Sequence, residues 1–374
     1  MLQHVEESQK QRALHNKVVE EAEASRRLGP SHPRRLQLHA LTADFCQNIG
    51  IPYVGAEQVG DTYYFSPLNT YVFGIADSTA DADEKETLDA FVYFEHEVKN
   101  GGNNVCLMLH KFFGSRGLLN AEDPVGKLCV TFDNCSGQNK NWMVLRYFAW
   151  LVESGYALEA FPVFLVRGHT KNACNRMFNL LKNEYRKKNI YCEEALMKSL
   201  NVCSQVTAHK MLPEEFRDWD ESFDLIYKRP AGYTERPHCF RFCKLYPGIC
   251  FYKDHDGEPE KEGPLFGRGT PQGDARKEIL SNSVPPPALS PPGLKEIKRM
   301  ELWSKWRKFV PTEERKDFWF TEEPDSELTK RVAAARALAK KTRANARATE
   351  VSAAACTGTA AMDQAPTDPQ RAVL

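Results

Sequence analysis

The chain has 374 residues, 42% of them hydrophobic, enough to bury a substantial core in one large or two medium domains. Its 50 Lys and Arg balance its 50 Asp and Glu, which excludes the overall basic field of a dedicated nucleic-acid-binding domain. No apolar run reaches transmembrane length and no secretory hydrophobic segment opens the chain, so no membrane partner is expected. The 11 cysteines are accordingly expected to be reduced, in an intracellular protein of the nucleus or cytoplasm.

In chain order, residues 1–35 are expected to form a charged helical arm that ends near Gly29-Pro30 without a strong apolar face. The compact core, 36–255, opens with a strand over 36–45. A Gly/Pro-marked loop leads to two stretches rich in aromatic and β-branched residues, 62–66 and 70–76, both predicted strands. An acidic link at 81–86 precedes another strand at 90–96. The period then changes: Val105, Leu107, Met108 and Phe112 share a face and predict a helix over 103–113. A strand at 127–133 is followed by a helix over 138–153, a strand at 158–166 and a helix over 170–187. Residues 191–209 are expected to be helical, and 229–252 a small strand pair. The order of elements predicts a mixed α/β sheet flanked by helices, rather than a regular Rossmann alternation. Beyond it lie a Gly/Pro-rich linker (256–293), a docking segment (294–320) carrying Trp303, Trp306 and Phe309, and an alanine-rich, basic, disordered tail (321–374).

Three positions combine into a candidate site. Asp44 and Asp133 each end a predicted strand, and the stretch 168–175, Gly-His-Thr-Lys-Asn-Ala-Cys-Asn, sits where a strand turns into a helix. Hard carboxylate oxygens converging from separate strands are what Mg²⁺ or Mn²⁺ requires in phosphodiester cleavage. Charge is also concentrated locally. From 167 to 188 there are seven basic residues (Arg167, Lys171, Arg176, Lys182, Arg186, Lys187 and Lys188) against the single Glu184, a strip suited to a phosphate backbone. The competing reading is that strand-end aspartates cap neighbouring helices and turns.

The motifs resemble those of a large transposon-derived family with a Leu-Thr-x-Asp-Phe-x-Gln-Asn segment, an Asp-Asn-Cys-x-Gly-Gln-Asn-Lys-Asn segment and a Gly-His-Thr-x-Asn segment. Here these are 41–48, 133–141 and 168–172, and the resemblance spans about residues 10–320. It implies a ribonuclease H-like fold of the kind used by DDE transposases and integrases. By the same resemblance Asp44 is the first carboxylate, from the first strand of the fold, and Asp133 the second, after the fourth. The resemblance implies metal ligation by Asp44 and Asp133, Mg²⁺ or Mn²⁺ if active, and DNA as partner. Relatives often place a third carboxylate on the helix after Gly168-His169; this chain has Asn175, which keeps the shape and loses the charge. Glu184 lies roughly 13 Å further along a helix and does not simply replace it. His169 is either a ligand or phosphate-orienting group, or the closing residue of the turn. Two functions follow: an ancestrally metal-dependent DNA-cleaving or strand-transfer enzyme, degenerate here or not, or an inactive nucleic-acid-binding or scaffold protein on the same fold.

Other signals are weaker. His238-Cys239, Cys243 and Cys250 lack convincing tetrahedral spacing. Cys135 has no identifiable base for thiol catalysis. Asp77 either joins the carboxylates or belongs to the acidic surface loop behind it.

Overall fold

The computed structural model describes residues 2–29, 32–55, 60–77, 87–168, 172–228, 237–267, 270, 273–282 and 284–325, with isolated positions from 327 to 342. The strands are β1 (Leu38–Phe45), β2 (Ile49–Ile51), β3 (Tyr53–Val54), β4 (Leu68–Asp77), β5 (Leu88–Phe94), β6 (Val125–Phe132), β7 (Ala157–Phe164), β8 (Asn189–Ile190), β9 (Val206–Lys210), β10 (Cys239–Cys243), β11 (Ile249–Lys253) and β12 (Lys261–Pro264). The helices are α1 (Leu2–Arg27), α2 (Gly102–Ser115), α3 (Trp142–Glu153), α4 (Ala173–Tyr185), α5 (Glu193–Leu200), α6 (Trp219–Asp224), α7 (Gly273–Asn282), α8 (Glu296–Glu301) and α9 (Phe318–Thr321).

The mixed sheet expected from the sequence forms in the order β12-β11-β10-β7-β6-β1-β4-β5-β9, with β2 added beside β4, while β3 and β8 make a separate pair. At its centre β1, β4 and β5 form an antiparallel meander, and β6 and β7 run parallel to β1. Alternation assigns the faces of β1. Leu41 and Ala43 enter the large core shared with α2, α3 and α6, whereas Ala40 enters the smaller cluster beneath α1. Thr42 and Asp44 share that second face, which α4 covers beside α1.

Two features let α4 sit close. Gly74 is the register partner of Asp44, and a Cβ there would lie 2.7 Å from the Phe178 ring. Glycine is therefore what admits the first turns of α4 over the sheet. Cys174 then fixes the depth, its Sγ donating to the Thr42 carbonyl (3.1 Å) and approaching the Gly74 carbonyl (3.5 Å).

Three sequence expectations are corrected. Residues 62–66 do not extend as a strand: Gly60–Tyr64 is a 3₁₀ turn, and β2 rather than this segment pairs with the start of β4. Residues 191–209 are not one helix. The helix stops at Leu200, and Val206–Lys210 pairs in parallel with β5, its turn tied by Ala208 N–H donating to Asn201 Oδ1 (2.8 Å). Finally, the helical arm α1 does have an apolar face. Leu14, Val18 and Ala22 bury against Ala40, Cys129, Phe161 and Val163. Polar residues inside that stripe make long-range bonds: Gln11 Nε2 donates to Cys239 Sγ (3.3 Å), and His15 Nδ1 meets Thr131 Oγ1 (3.0 Å).

The strand pair expected at 229–252 is β10 and β11, and it extends the main sheet through β7. The segment after the proline-rich stretch docks as a strap, burying Leu302, Trp306, Val310, Trp319 and Phe320 against β4, β5 and α5. Most of the alanine-rich tail lies outside the described residues, and no described helix is long and apolar enough to cross a membrane.

Candidate functional site

The turn after β6 is built to present one carboxylate. The Cys135 carbonyl accepts three successive N–H groups, from Gln138 (3.2 Å), Asn139 (2.9 Å) and Lys140 (2.9 Å), closing the loop on itself. Asn141 then caps α3, its Oδ1 accepting from Val144 N–H (3.1 Å) while its Nδ2 donates to the Gln138 carbonyl (2.8 Å). Inside this turn the fully buried Asn139 donates from Nδ2 to Asp133 Oδ1. Burial raises the Asp133 pKa, an effect that the Asn139 and Cys135 donors partly offset.

Asp44 stands beside it. The last parallel register pair of β1 and β6 is Ala43 with Phe132, so Asp44, still within β1, and Asp133, just past β6, come next along two adjacent strands. Strand neighbours lie roughly 4.8 Å apart, which places two acids side by side at one sheet end. Asp44 is only 6% exposed. Burial and then the Asp133 charge push its pKa up to about 7, against the lowering effect of its hydrogen bonds.

Those hydrogen bonds define the site. Asp44 Oδ1 accepts from Phe45 N–H (2.8 Å), and Oδ2 accepts from two side-chain amides, Asn175 Nδ2 (2.8 Å) and Asn172 Nδ2 (3.2 Å). The two asparagines are held by a reciprocal capping box: Asn172 Oδ1 accepts from Asn175 N–H (3.0 Å), and Asn175 Oδ1 accepts from Asn172 N–H (3.4 Å). Capping engages both amide oxygens and leaves both NH₂ groups aimed at Asp44. A divalent ion requires oxygen ligands, whereas these amides offer a carboxylate their protons.

Asp44, Asp133 and Asn175 thus come together as their strand-end and helix-start positions imply. His169 and Lys171 lie outside the described residues. Arg167, Arg176, Arg186, Lys187 and Lys188 are exposed and Lys182 is half-buried, so the strip lies on the solvent side of α4 and the loop before it. Lys188 is 3.9 Å from Glu184, and Arg167 Nε donates to the Asn134 carbonyl (3.4 Å). Next to this strip, His15 is held neutral by burial and by Arg12 and Arg176, its pKa lowered to about 4.

The weaker candidates resolve structurally. Asp77 pairs with Arg26 (2.9 Å) and lies opposite Leu41, three residues back along β1 from Asp44, so it does not join the acidic pair. Cys135 is the hub of its turn, and burial raises its thiol pKa. His238 Nδ1 meets the Phe164 carbonyl (2.7 Å). Among the described residues, the side chains with metal-donor spacing are instead His96, Glu97 and Glu193, whose donor atoms lie within 4.8 Å of one another. That group carries its own cation: Lys210 Nζ bonds Glu97 and lies 3.9 Å from Glu193 Oε2. Glu193 N–H also donates to Asp317 Oδ2 (3.3 Å), so the cluster joins the strap to the sheet.

Sequence reasoning missed Asn139 and Asn172 as positioning residues. The signal was available for Asn172, since asparagine three residues before Asn175 at a helix start is an N-cap pattern. A family model described as Domain of unknown function (DUF7869) matches residues 65–256, which run from just before β4 to just beyond β11 and include Asp133, Asn172 and Asn175. No curated protein and no solved structure matches the chain.

Proposed function

We propose that this chain, which belongs to the family described as Domain of unknown function (DUF7869), is a transposon-derived, ribonuclease H-like protein that binds nucleic acid and no longer cleaves it. The observation that carries this reading is the pair of asparagine amides on Asp44 Oδ2. Two carboxylates on adjacent strand ends are what remains of a divalent-metal centre for DNA cleavage or strand transfer. The third position now supplies N–H donors rather than a charged oxygen ligand. The residues present therefore do not fit a two-ion Mg²⁺ or Mn²⁺ centre.

The architecture supports the ancestry. Asp44 lies near the end of the first, and Asp133 follows the fourth, of the five central strands β1, β4, β5, β6 and β7, as the resemblance implies. The exposed cations along α4 give a phosphate backbone a track beginning at the acidic pair. The Asn172–Asn175 box supplies N–H donors to Asp44 Oδ2, on the oxygen that a cation would otherwise occupy.

A second reading, retained metal-dependent cleavage, is favoured by the persistence of Asp44 beside Asp133 on adjacent strands. End-labelled single- and double-stranded DNA incubated with wild type and Asp133→Asn in Mg²⁺ or Mn²⁺ separates the two. The proposal expects binding without product. Metal-dependent product that disappears in the variant would establish the second reading.

A further inference from the structure

The 3₁₀ turn Gly60–Tyr64 carries the most exposed aromatic pair among the described residues. Tyr63 is 73% and Tyr64 80% exposed, with ring centroids 5.2 Å apart and planes at 86°. An edge-to-face pair leaves ring faces uncovered, because neither ring stacks flat on the other. The turn beneath them is anchored. Thr62 is buried, its carbonyl accepts from Phe65 N–H (3.2 Å), and Phe65 packs on Trp306 (5.7 Å) and Phe309 (6.0 Å) of the strap.

Cations interleave with this aromatic ground. Lys305 Nζ lies 5.2 Å over the Phe65 ring, Lys308 Nζ 4.9 Å over Phe309, and the Arg307 guanidinium 4.3 Å over Trp303. Over residues 295–316 the strap has eight Lys and Arg against four Asp and Glu. The turn also lies towards the sheet end that holds the acidic pair, because β4 runs antiparallel to β1 and starts at Leu68, beyond Phe73, the partner of Phe45. The chain at Gly55, five residues before the turn, meets the end of the basic strip. Gly55 N–H donates to Asn189 Oδ1 (3.1 Å), and its backbone packs against the Arg186 and Lys188 carbonyls. Tyr63 follows eight residues later, a reach of at most about 28 Å.

We infer that Tyr63 and Tyr64 form a base-stacking platform for a single-stranded nucleic acid whose backbone is held by Lys308 and the basic end of α4. The inference rests on the nucleic-acid reading above and narrows it to unpaired strands. Bases in a duplex present their faces to one another, whereas a single strand can lay them on aromatic rings in a sequence-tolerant way. The chemistry that selects this occupant is the combination of open ring faces with adjacent ammonium and guanidinium groups. A protein partner would use the rings without that dependence on phosphate.

The test is fluorescence anisotropy with a labelled 15-nucleotide oligo-dT and a 15-base-pair duplex, using the full chain. Tyr63→Ala/Tyr64→Ala is expected to weaken oligo-dT binding about ten-fold or more, since each stacked base contributes roughly 1–3 kcal/mol. Duplex binding should stay within about two-fold, and Tyr63→Phe/Tyr64→Phe, which keeps the rings, should restore oligo-dT affinity. Both side chains are exposed, so unchanged thermal melting checks that the fold survives. Undiminished oligo-dT binding by the alanine variant overturns the platform while leaving the nucleic-acid reading intact. Equal losses on oligo-dT and duplex also overturn it. Wild type that binds neither probe overturns both.

Discussion

The Asp44 environment makes a quantitative prediction about stability and pH. Folding raises its pKa from 3.8 to about 7, so the folded protein holds this proton more tightly than the unfolded chain. For a raised carboxyl the sign is that stability is greatest at low pH and is lost as pH rises through the folded pKa. Between pH 5 and pH 8 the single-site relation gives a loss of about 2 to 3 kcal/mol from Asp44 alone. Asp44→Asn keeps the shape and cannot ionise. The variant incurs a fixed cost, because an amide cannot accept from Phe45 and both asparagines as a carboxylate does, but that cost does not vary with pH. Glu153 and Glu193, also raised to about 7, and Asp317, raised to about 6, titrate in the same window in both proteins and cancel in the difference. Urea unfolding of wild type and variant at pH 5 and pH 8 measures it. The variant should lose about 2 to 3 kcal/mol less than wild type over that interval. Equal losses would show that Asp44 is not held protonated by burial beside Asp133, and the account of the site would fail.

Further predictions follow from the same contacts. Asn175→Asp replaces an N–H donor to Asp44 with a like charge, and should destabilise the protein at pH 8 by at least about 1.5 to 3 kcal/mol in urea unfolding. Arg186→Ala/Lys187→Ala should weaken DNA binding on all sequences and reduce the slope of log K against log salt by about 1.4 to 1.8, checked by anisotropy between 50 and 200 mM salt. Trp306→Ala empties the buried seat of the strap and should cost about 3 to 5 kcal/mol, with early proteolytic release of residues beyond 290 as its local signature.

Much of the fold was readable because strong periodic signals coincided with real burial. The apolar run into Asp133 became β6, and the faces containing Phe112, Phe148 and Phe178 became α2, α3 and α4. The failures have identifiable causes. The aromatics at 62–66 look like strand residues, but the neighbouring edge is taken by β2, which leaves Tyr63 and Tyr64 in solvent. The packing of α1 was hidden because its buried stripe mixes Leu14 and Val18 with Gln11 and His15, whose partners Cys239 and Thr131 are more than a hundred residues away. In the site, strand ends and a helix start announced Asp44, Asp133 and Asn175. The direction of the hydrogen bonds did not show in the sequence. It depends on α4 descending over Gly74 and on the capping box that turns the asparagine oxygens to the backbone.

Metal binding tests the central claim most directly. Isothermal titration of Mn²⁺ into wild type and Asn175→Asp at pH 8 compares the amide-filled site with one whose third carboxylate is restored. The account predicts no saturable heat at the acidic pair in wild type, and binding gained in Asn175→Asp that Asp133→Asn then removes. Saturable Mn²⁺ binding by wild type that is lost in Asp133→Asn would contradict it, and would show that the asparagines leave the ancestral centre open.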